Sequence, residues 1–300
     1  MIVRVEPTRV YRFYRGGALI DRLRGEPEHD GEFPEDWVGS MVPANNPGRH
    51  EPDAGLTRLE DGRLLRDAAA ADPAYWGTPD VLVKLLDPVE RLPVHFHPDR
   101  AFARANLGSA YGKTEAWIVV VTREADADVW LGLREAVEPA QYREWIDRQD
   151  DALLDSLHHL TVGVGDAVYV PAGVPHAIGA GALIVEVQEP ADLSIVCEWR
   201  GFPIDPDDAH LGIGWERALP ALHLDAYEPS LGLPPESHAF FHADERAEPA
   251  GRFAVLLVLD GEGELDGKPA RAGDAFVVPA AAERIDVAGD LQVVRCYGGD

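Results

Sequence analysis

Cysteine is scarce in this sequence of 300 residues, which has only Cys197 and Cys296. Two cysteines are too few for a disulfide framework, so we expect a protein of a reducing, cytoplasmic compartment. No apolar run approaches the roughly 20 residues that a membrane-spanning helix needs. Residues 1–17 also lack the apolar centre of a signal peptide. The sequence therefore predicts neither a secreted nor a membrane-embedded protein.

Positive charge is scarce as well, since 27 lysines and arginines stand against 53 acidic residues, for a formal net charge of −26. Such a field repels nucleic acid and anionic membrane surfaces, and we expect neither as a partner. A local group of basic residues inside a cleft can still bind an anionic small molecule. The acidity itself is explained by solubility. The composition thus favours a small-molecule partner and does not determine the oligomeric state.

Short apolar runs bounded by proline, glycine and aspartate dominate the chain after residue 80, and this pattern predicts strands. The rhythm is interrupted at residues 139–158, where Pro139 suits a first helical turn and apolar residues recur at helical spacing. We therefore predict a small helical insertion there. The predicted strands before and after it are residues 81–87, 92–97, 115–121, 127–133 and 161–188.

A weak internal repeat relates residues 162–178 to residues 270–287. Both segments contain Gly-Asp-Ala, then aromatic and valine positions, then Val-Pro-Ala. Many short strands with such turns predict a mainly β fold built from two jelly rolls. We place a metal-binding domain, with an irregular N-terminal segment and the helical insertion, at residues 1–205. A second, degenerate jelly roll without metal is predicted at residues 206–300.

The polar residues of the first predicted domain form a candidate metal site. His95 and His97 are two apart on a strand and so face the same side. Glu115 begins an apolar strand, where an unpaired carboxylate is costly, and His176 follows a tight turn. Taken singly, each has an ordinary structural explanation. Together, three imidazoles and one carboxylate suit zinc or another first-row divalent ion, and the lack of thiolates favours a catalytic site.

Two further segments carry charge into predicted strands. Lys113 lies in a Gly-Lys-Thr triplet, but the upstream Gly108 is one position too close for a phosphate-binding P-loop and a strand follows instead of a helix. Lys113 is two residues from Glu115, so both can share one face. Glu186 and Gln188 likewise share a face of an apolar strand and need buried partners.

The segments "VLVKLLDPVERLPVHFHPD", "GKTEAW", "GDAVYVPAGVPHAI" and "ALIVEVQ" together resemble the type I mannose-6-phosphate isomerases, zinc enzymes of the cupin superfamily. The resemblance is densest over residues 81–190. It implies cupin jelly rolls and an aldose–ketose isomerase that works through a cis-enediol. It also implies that His97, Glu115 and His176 bind Zn²⁺, with His95 in place of a glutamine of the family.

The resemblance further implies that Lys113 lies near the substrate and that Glu186 is an acid of the active-site cleft. Either residue can be the base, and the sequence does not choose between them. The sequence departs from the family pattern at two positions. Pro93 replaces a serine and Val196 replaces an arginine, and the resemblance implies that these two family residues help to hold the substrate or its phosphate. Arg200, four residues later, is the candidate replacement for that arginine.

These departures leave two alternatives to a mannose-6-phosphate isomerase. One is a cupin metalloenzyme that acts on an unphosphorylated sugar or another small molecule. The other is a cupin that binds a sugar without converting it. Three histidines and one glutamate also suit manganese, iron or nickel, so zinc is implied by the resemblance and not by the residues alone.

Overall fold

The computed structural model describes residues 1–28, 31–49 and 51–300. Most of its regular structure is strand. The strands are β1 (Val3–Val5), β2 (Arg9–Val10), β3 (Glu35–Val38), β4 (Leu82–Leu86), β5 (His95–Phe96), β6 (Glu115–Thr122), β7 (Ala127–Leu133), β8 (Leu157–Val162), β9 (Ala167–Val170), β10 (His176–Ile178), β11 (Ala182–Gln188), β12 (Ile195–Val196), β13 (Phe241–Asp244), β14 (Ala254–Leu265), β15 (Lys268–Arg271), β16 (Ala275–Val278) and β17 (Val287–Gly298).

The helices are short and lie between the strands. They are α1 (Leu19–Arg24), α2 (Leu65–Ala71), α3 (Pro73–Trp76), α4 (Arg100–Asn106), α5 (Pro139–Arg148), α6 (Ala152–Asp155) and α7 (Trp215–Ala218), with 3₁₀ turns at Leu219–Ala221 and Pro235–Ala239. No described helix is long and apolar enough to cross a membrane.

The strands form three antiparallel sheets. Sheet I has the order β2-β3-β4-β11-β6-β9, and sheet II has the order β12-β5-β10-β7-β8. Sheet III has the order β1-β16-β14-β17-β13, with β15 paired to β14. The prediction of a mainly β fold is thereby confirmed.

Sheets I and II enclose a shared apolar core. Trp117 and Val119 of β6 pack in one cluster with Val129 and Leu131 of β7 and with Ile178 of β10, and all five are buried. Each such side chain stabilises the fold by about 1.5–3 kcal/mol when it leaves water. The core therefore fixes the separation of the two sheets, and polar side chains on their inner faces are held in place.

The N-terminal strand belongs to the C-terminal sheet. In the β1–β16 pair, Val3 lies opposite Val277 and Val5 lies opposite Ala275. A strand from the start of the chain thus crosses the boundary that we placed after residue 205. The division of the chain into two domains stays a prediction.

The predicted helical insertion consists of two short helices, α5 and α6, and β8 begins at Leu157. Helix α5 ends because Gln149 adopts the left-handed backbone conformation, with φ at 51°. The Gln149 amide donates hydrogen bonds to the carbonyls of Ile146 and Cys197, at 2.8 and 2.9 Å. Gln149 therefore ends this helix through its backbone conformation, and its buried side chain anchors the segment that follows β12.

Candidate active site

The strand register of sheet II brings two of the predicted ligands together. His95 of β5 lies directly opposite His176 of β10. His97 follows β5 by one residue, and Glu115 begins β6 in the facing sheet I. All four side chains are buried, with no more than 8% of any residue exposed. The structure thus brings the four predicted metal ligands into one cluster.

The ligand atoms of this cluster converge. Nε2 of His95 lies 3.0 Å from Nε2 of His176. Glu115 lies between the histidines, with Oε2 at 3.2 Å from Nε2 of His97 and Oε1 at 3.5 Å from Nε2 of His176. Two ligands bound at about 2.0–2.1 Å to a tetrahedral ion are about 3.3 Å apart. These three pairs are therefore close to the spacing of a first coordination shell, and the ligand nitrogens of the three histidines all lie within 4.8 Å of one another.

Backbone carbonyls fix which ring nitrogen faces the cluster. Nδ1 of His95 donates to the carbonyl of Pro93, and Nδ1 of His176 donates to that of Val174, both at 2.8 Å. Nδ1 of His97 donates to the carbonyl of Leu193 at 2.8 Å. A carbonyl only accepts, so each Nδ1 carries the proton and each Nε2 presents a lone pair. Outer hydrogen bonds of this kind orient metal-bound histidines.

The histidines of the cluster are neutral at physiological pH. Burial lowers the pKa of His97 and of His176 to about 3, and it lowers the pKa of His95 well below its usual value. Neighbouring positive groups act in the same direction, Lys113 on His97 and protonated His97 on His176. Neutral imidazole is the form that binds a metal ion. The donor set of three imidazoles and one carboxylate therefore fits a divalent cation.

A cation already lies among these donors. Nζ of Lys113 is 3.0 Å from Nε2 of His97 and 3.0 Å from Oε2 of Glu115. Burial raises the pKa of Glu115, but Lys113 and His97 together hold it well below its usual value. Burial lowers the pKa of Lys113, but Glu115, Glu186 and Asp192 together raise it above its usual value. The protein groups alone therefore keep Lys113 charged.

A cavity of about 320 Å³ opens beside the cluster, which is a volume at the small end of the range for ligand pockets. His95 and Lys113 contribute to its wall. Glu186 lines it as well, whereas His97, Glu115 and His176 lie behind that surface. The remaining lining residues include Tyr11, Arg12, Phe13, Tyr14, Glu35, Asn45, Asn46, Pro47, Lys84, Leu86, Leu92, Pro93, Ile178, Asp192, Ser194, Val196, Pro203, Ile204, Asp205, Asp208, Ala209 and Leu211.

Sheet I places a row of functional side chains across the cavity wall. Glu186 of β11 lies opposite Lys84 of β4 and opposite Trp117 of β6. Nζ of Lys84 donates to Oε1 of Glu186 at 2.9 Å, and the ammonium lies 4.8 Å from the Trp37 ring. Burial and the charge of Glu115 raise the pKa of Glu186, although Lys84 opposes the change. Glu186 is thus a buried carboxylate at the cavity wall.

A second ion network lines the cavity around Arg12. Its guanidinium donates two hydrogen bonds to Asp192, at 2.9 and 3.1 Å, and Nε lies 3.1 Å from Oε1 of Glu35. Tyr14 and Trp37 also donate to Glu35, each at 2.7 Å. Although burial opposes it, the charge of Arg12 lowers the pKa of Glu35 and of Asp192. The network is therefore charged and saturated with hydrogen bonds.

The structure does not bring Arg200 to this cavity, contrary to the role that the sequence suggested. Its guanidinium pairs with Asp151, its side chain is 61% exposed, and it is absent from the cavity wall. The physical reason is that its backbone N–H donates to Oε1 of Gln149 at 2.8 Å, which fixes the segment against helix α5. Pro93 and Val196, the two departures from the family pattern, both line the cavity.

Sequence reasoning missed Lys84 and Arg12. Lys84 stands in the middle of the apolar run "VLVKLLD", and a lysine in such a strand needs a buried partner. That signal was available. Arg12 gave none, since it lies among other arginines in an irregular segment and its partner Asp192 is 180 positions away.

The chain is similar in sequence to isomerases of sugar phosphates. It is 29% identical over 248 residues to a mannose-6-phosphate isomerase from Streptococcus mutans, covering 73% of this chain and 74% of that protein. It is 32% identical over 165 residues to the mannose-6-phosphate isomerase ManA from Bacillus subtilis, covering 54% of this chain and 48% of that one. No model of a protein family matches it. These relatives are mannose-6-phosphate isomerases by name, in agreement with the resemblance of the sequence motifs.

The fold is shared with solved structures of isomerases with this name. The solved mannose-6-phosphate isomerase from Bacillus subtilis superposes with a TM-score of 0.76 at 21% identity, covering 99% of both chains. A variant of phosphomannose isomerase from Salmonella typhimurium superposes with a TM-score of 0.72 at 14% identity, covering 100% of both. At such identities the superpositions show the shared fold, while the cluster and its cavity describe this chain's own site.

Proposed function

We propose that the protein is a metal-dependent aldose–ketose isomerase of the mannose-6-phosphate isomerase type. The pair after which its relatives are named, mannose 6-phosphate and fructose 6-phosphate, is the starting point for assays. The observation that carries the proposal is the convergence of three Nε2 lone pairs and one carboxylate beside a cavity whose wall holds His95, Glu186 and Lys113. Such a constellation is expected where a sugar must be held and deprotonated.

We propose His95, His97, Glu115 and His176 as the metal ligands and Zn²⁺ as the metal. Nitrogen donors and one carboxylate without thiolates suit a catalytic zinc ion. When bound, the ion supplies a Lewis acid that stabilises negative charge developing on the sugar oxygens. Three of the four ligands come from strands that the apolar core holds rigidly, so these donors are preorganised for it.

The reaction moves one carbon-bound proton. In the direction from aldose to ketose, a base takes the proton from C2, O1 gains a proton, and a cis-enediol forms. The proton then returns to C1 while O2 gives up its hydroxyl proton and becomes the carbonyl oxygen, which balances the proton that O1 gained. We assign the base to Glu186, since it lines the cavity and its pKa lies above the usual value, which brings a carboxylate nearer to the operating pH.

Lys113 and Lys84 receive distinct parts in this proposal. Lys113 lines the cavity as a charged donor and can stabilise the enediolate oxygen. Lys84 holds Glu186 through the 2.9 Å contact and acts as a positioning residue. Arg200 has no part, because its guanidinium pairs with Asp151.

The test is isomerisation by the metal-loaded protein in D₂O, followed by proton NMR. Proton transfer by a base that exchanges with solvent places deuterium at C1 of the ketose. We expect conversion with deuterium incorporation, and we expect it to stop when the metal is chelated. A protein that binds metal and sugar without conversion or exchange would be a sugar-binding cupin, and the isomerase proposal would be wrong.

A further inference from the structure

The charges of the cavity wall point to the chemical class of the sugar. We propose that this protein acts on an unphosphorylated hexose in preference to the hexose 6-phosphate. This inference rests on the isomerase function proposed above and narrows its substrate. The argument concerns the groups that would meet a terminal phosphate, which carries about −1.5 to −2 charges at pH 7 and three acceptor oxygens.

The three lysine and arginine side chains in the described part of the cavity wall each lie against a carboxylate. Arg12 lies 2.9 Å from Asp192, Lys84 lies 2.9 Å from Glu186, and Lys113 lies 3.0 Å from Glu115. Among the described lining residues there is no fourth lysine or arginine. A phosphate in this cavity therefore has to compete with a carboxylate for Arg12 and Lys84, and with the reacting sugar oxygens for Lys113 once Glu115 binds the metal.

That competition is unfavourable at Arg12, which offers the strongest fork for a phosphate. Its partner Asp192 has 9% of its side chain exposed and also accepts the backbone N–H of Asn45 at 2.8 Å. Glu35 accepts a hydrogen bond from Tyr14 and also forms an ion pair with Arg12. Drawing Arg12 toward a phosphate would take the nearest charge partner from both Asp192 and Glu35, and such a loss is destabilising.

The rest of the wall is acidic, neutral or apolar. Asp205 and Asp208 line the cavity, and within the described residues neither forms an ion pair. A negative charge on the wall that faces a negative charge on the ligand lowers the affinity by tenfold or more. Val196 adds an apolar surface to the same wall. The neutral polar groups are the side chains of Asn45, Asn46 and Ser194, which suit the hydroxyl groups of a free sugar.

The first experiment compares free fructose with fructose 6-phosphate as substrates of the metal-loaded protein. In parallel, calorimetry compares the binding of sorbitol and sorbitol 6-phosphate, which lack the carbonyl group and do not react. We expect kcat/KM to be at least about tenfold higher for free fructose, and sorbitol to bind at least about tenfold more tightly than its phosphate. Preference for the phosphorylated compound in either comparison would overturn the inference.

The binding comparison separates this inference from the isomerase proposal. Tighter binding of sorbitol without conversion of either sugar would refute the isomerase and keep the preference for a neutral ligand. Conversion of fructose 6-phosphate alone would keep the isomerase and refute the preference. Binding of neither sorbitol compound at millimolar concentration would overturn the inference outright.

A variant pair tests the contribution of the acidic wall. The double change Asp205→Asn and Asp208→Asn removes two negative charges from exposed positions and leaves the metal ligands untouched. We expect it to raise the ratio of kcat/KM for fructose 6-phosphate over fructose by about tenfold. Asp207→Asn is the matched control, since Asp207 is an exposed aspartate of the same loop outside the cavity wall. An equal ratio in both variants would contradict the charge argument.

Discussion

The metal cluster predicts a specific effect of His97→Ala on stability. The native protein should lose thermal stability when its metal is chelated, because only the folded chain assembles the four ligands. At a free metal concentration 100 times the dissociation constant, binding stabilises the fold by about 2.7 kcal/mol. The unfolding entropy is about 2.1 cal/mol/K per residue, which amounts to about 0.63 kcal/mol/K for a chain of 300 residues. Chelation should therefore lower Tm by about 4 °C.

In His97→Ala the same chelation should leave Tm unchanged, and the dialysed protein should hold less than about one tenth of a metal ion per chain. Each variant is compared with itself, with and without chelator, so the cost of truncating a buried side chain cancels. Differential scanning calorimetry gives Tm and atomic emission gives the metal content. His159→Ala is the matched control, since His159 is 53% exposed and bonded to Asp128 at the surface.

The result that refutes this reasoning is clear. If His97→Ala retained one metal ion per chain and a Tm shift of about 4 °C, His97 would not be a ligand. If the native protein showed neither metal nor shift after loading with zinc, the cluster would be a hydrogen-bonded group of neutral histidines around Lys113.

Three further predictions concern the residues that line the cavity. Glu186→Gln should lower kcat by about 10²–10⁴-fold with the metal content unchanged. Lys84→Met removes the positive charge 2.9 Å from Glu186, so the pKa of Glu186 should rise further. The acid limb of the pH profile of kcat/KM should then move upward by about one pH unit or more. An unmoved limb would exclude Glu186 as the base. Asp192→Asn should lower the free energy of unfolding in urea by about 1.5–3 kcal/mol because Arg12 loses one of its two carboxylate partners and keeps Glu35. The pKa of Asp192 is depressed in the folded state, so its carboxylate stabilises the fold above pH 3.8 and this stabilisation is lost as the pH falls further. The free energy of unfolding should therefore fall less steeply with acid in Asp192→Asn than in Asp207→Asn.

The side chains of the proposed metal site could be picked out from the sequence because their signals are local, and their role as ligands stays a prediction. Alternation on a strand places His95 and His97 on one side without any knowledge of the partner strand. The same rule joins Lys113 to Glu115, and their observed contact at 3.0 Å agrees with it. The opposition of His95 and His176 needed the register of β5 and β10, which only the folded sheet supplies.

The remainder of the site depends on contacts between distant parts of the chain. Arg12 and Asp192 meet across 180 positions, and no periodicity relates them. The placement of Arg200 failed for a similar reason. Counting along the chain put it near the cavity, whereas the hydrogen bonds of Gln149 turn its backbone toward helix α5. Spacing predicts a neighbour on the same strand, but it does not predict which loop a buried amide anchors.

The pairing of β1 with β16 has a consequence for how the chain is made. Val3 leaves the ribosome early, and its partner Val277 follows 274 residues later, which at about 5–20 residues per second is a delay of about 14–55 s. During that interval β1 has no sheet to join, and this sheet closes only when β16 has emerged as well. A fragment that begins at residue 206 lacks this strand and leaves the edge of β16 uncovered, where it can pair with another chain. Expression trials of the C-terminal half alone should therefore supply residues 1–7 as a peptide or as a fusion.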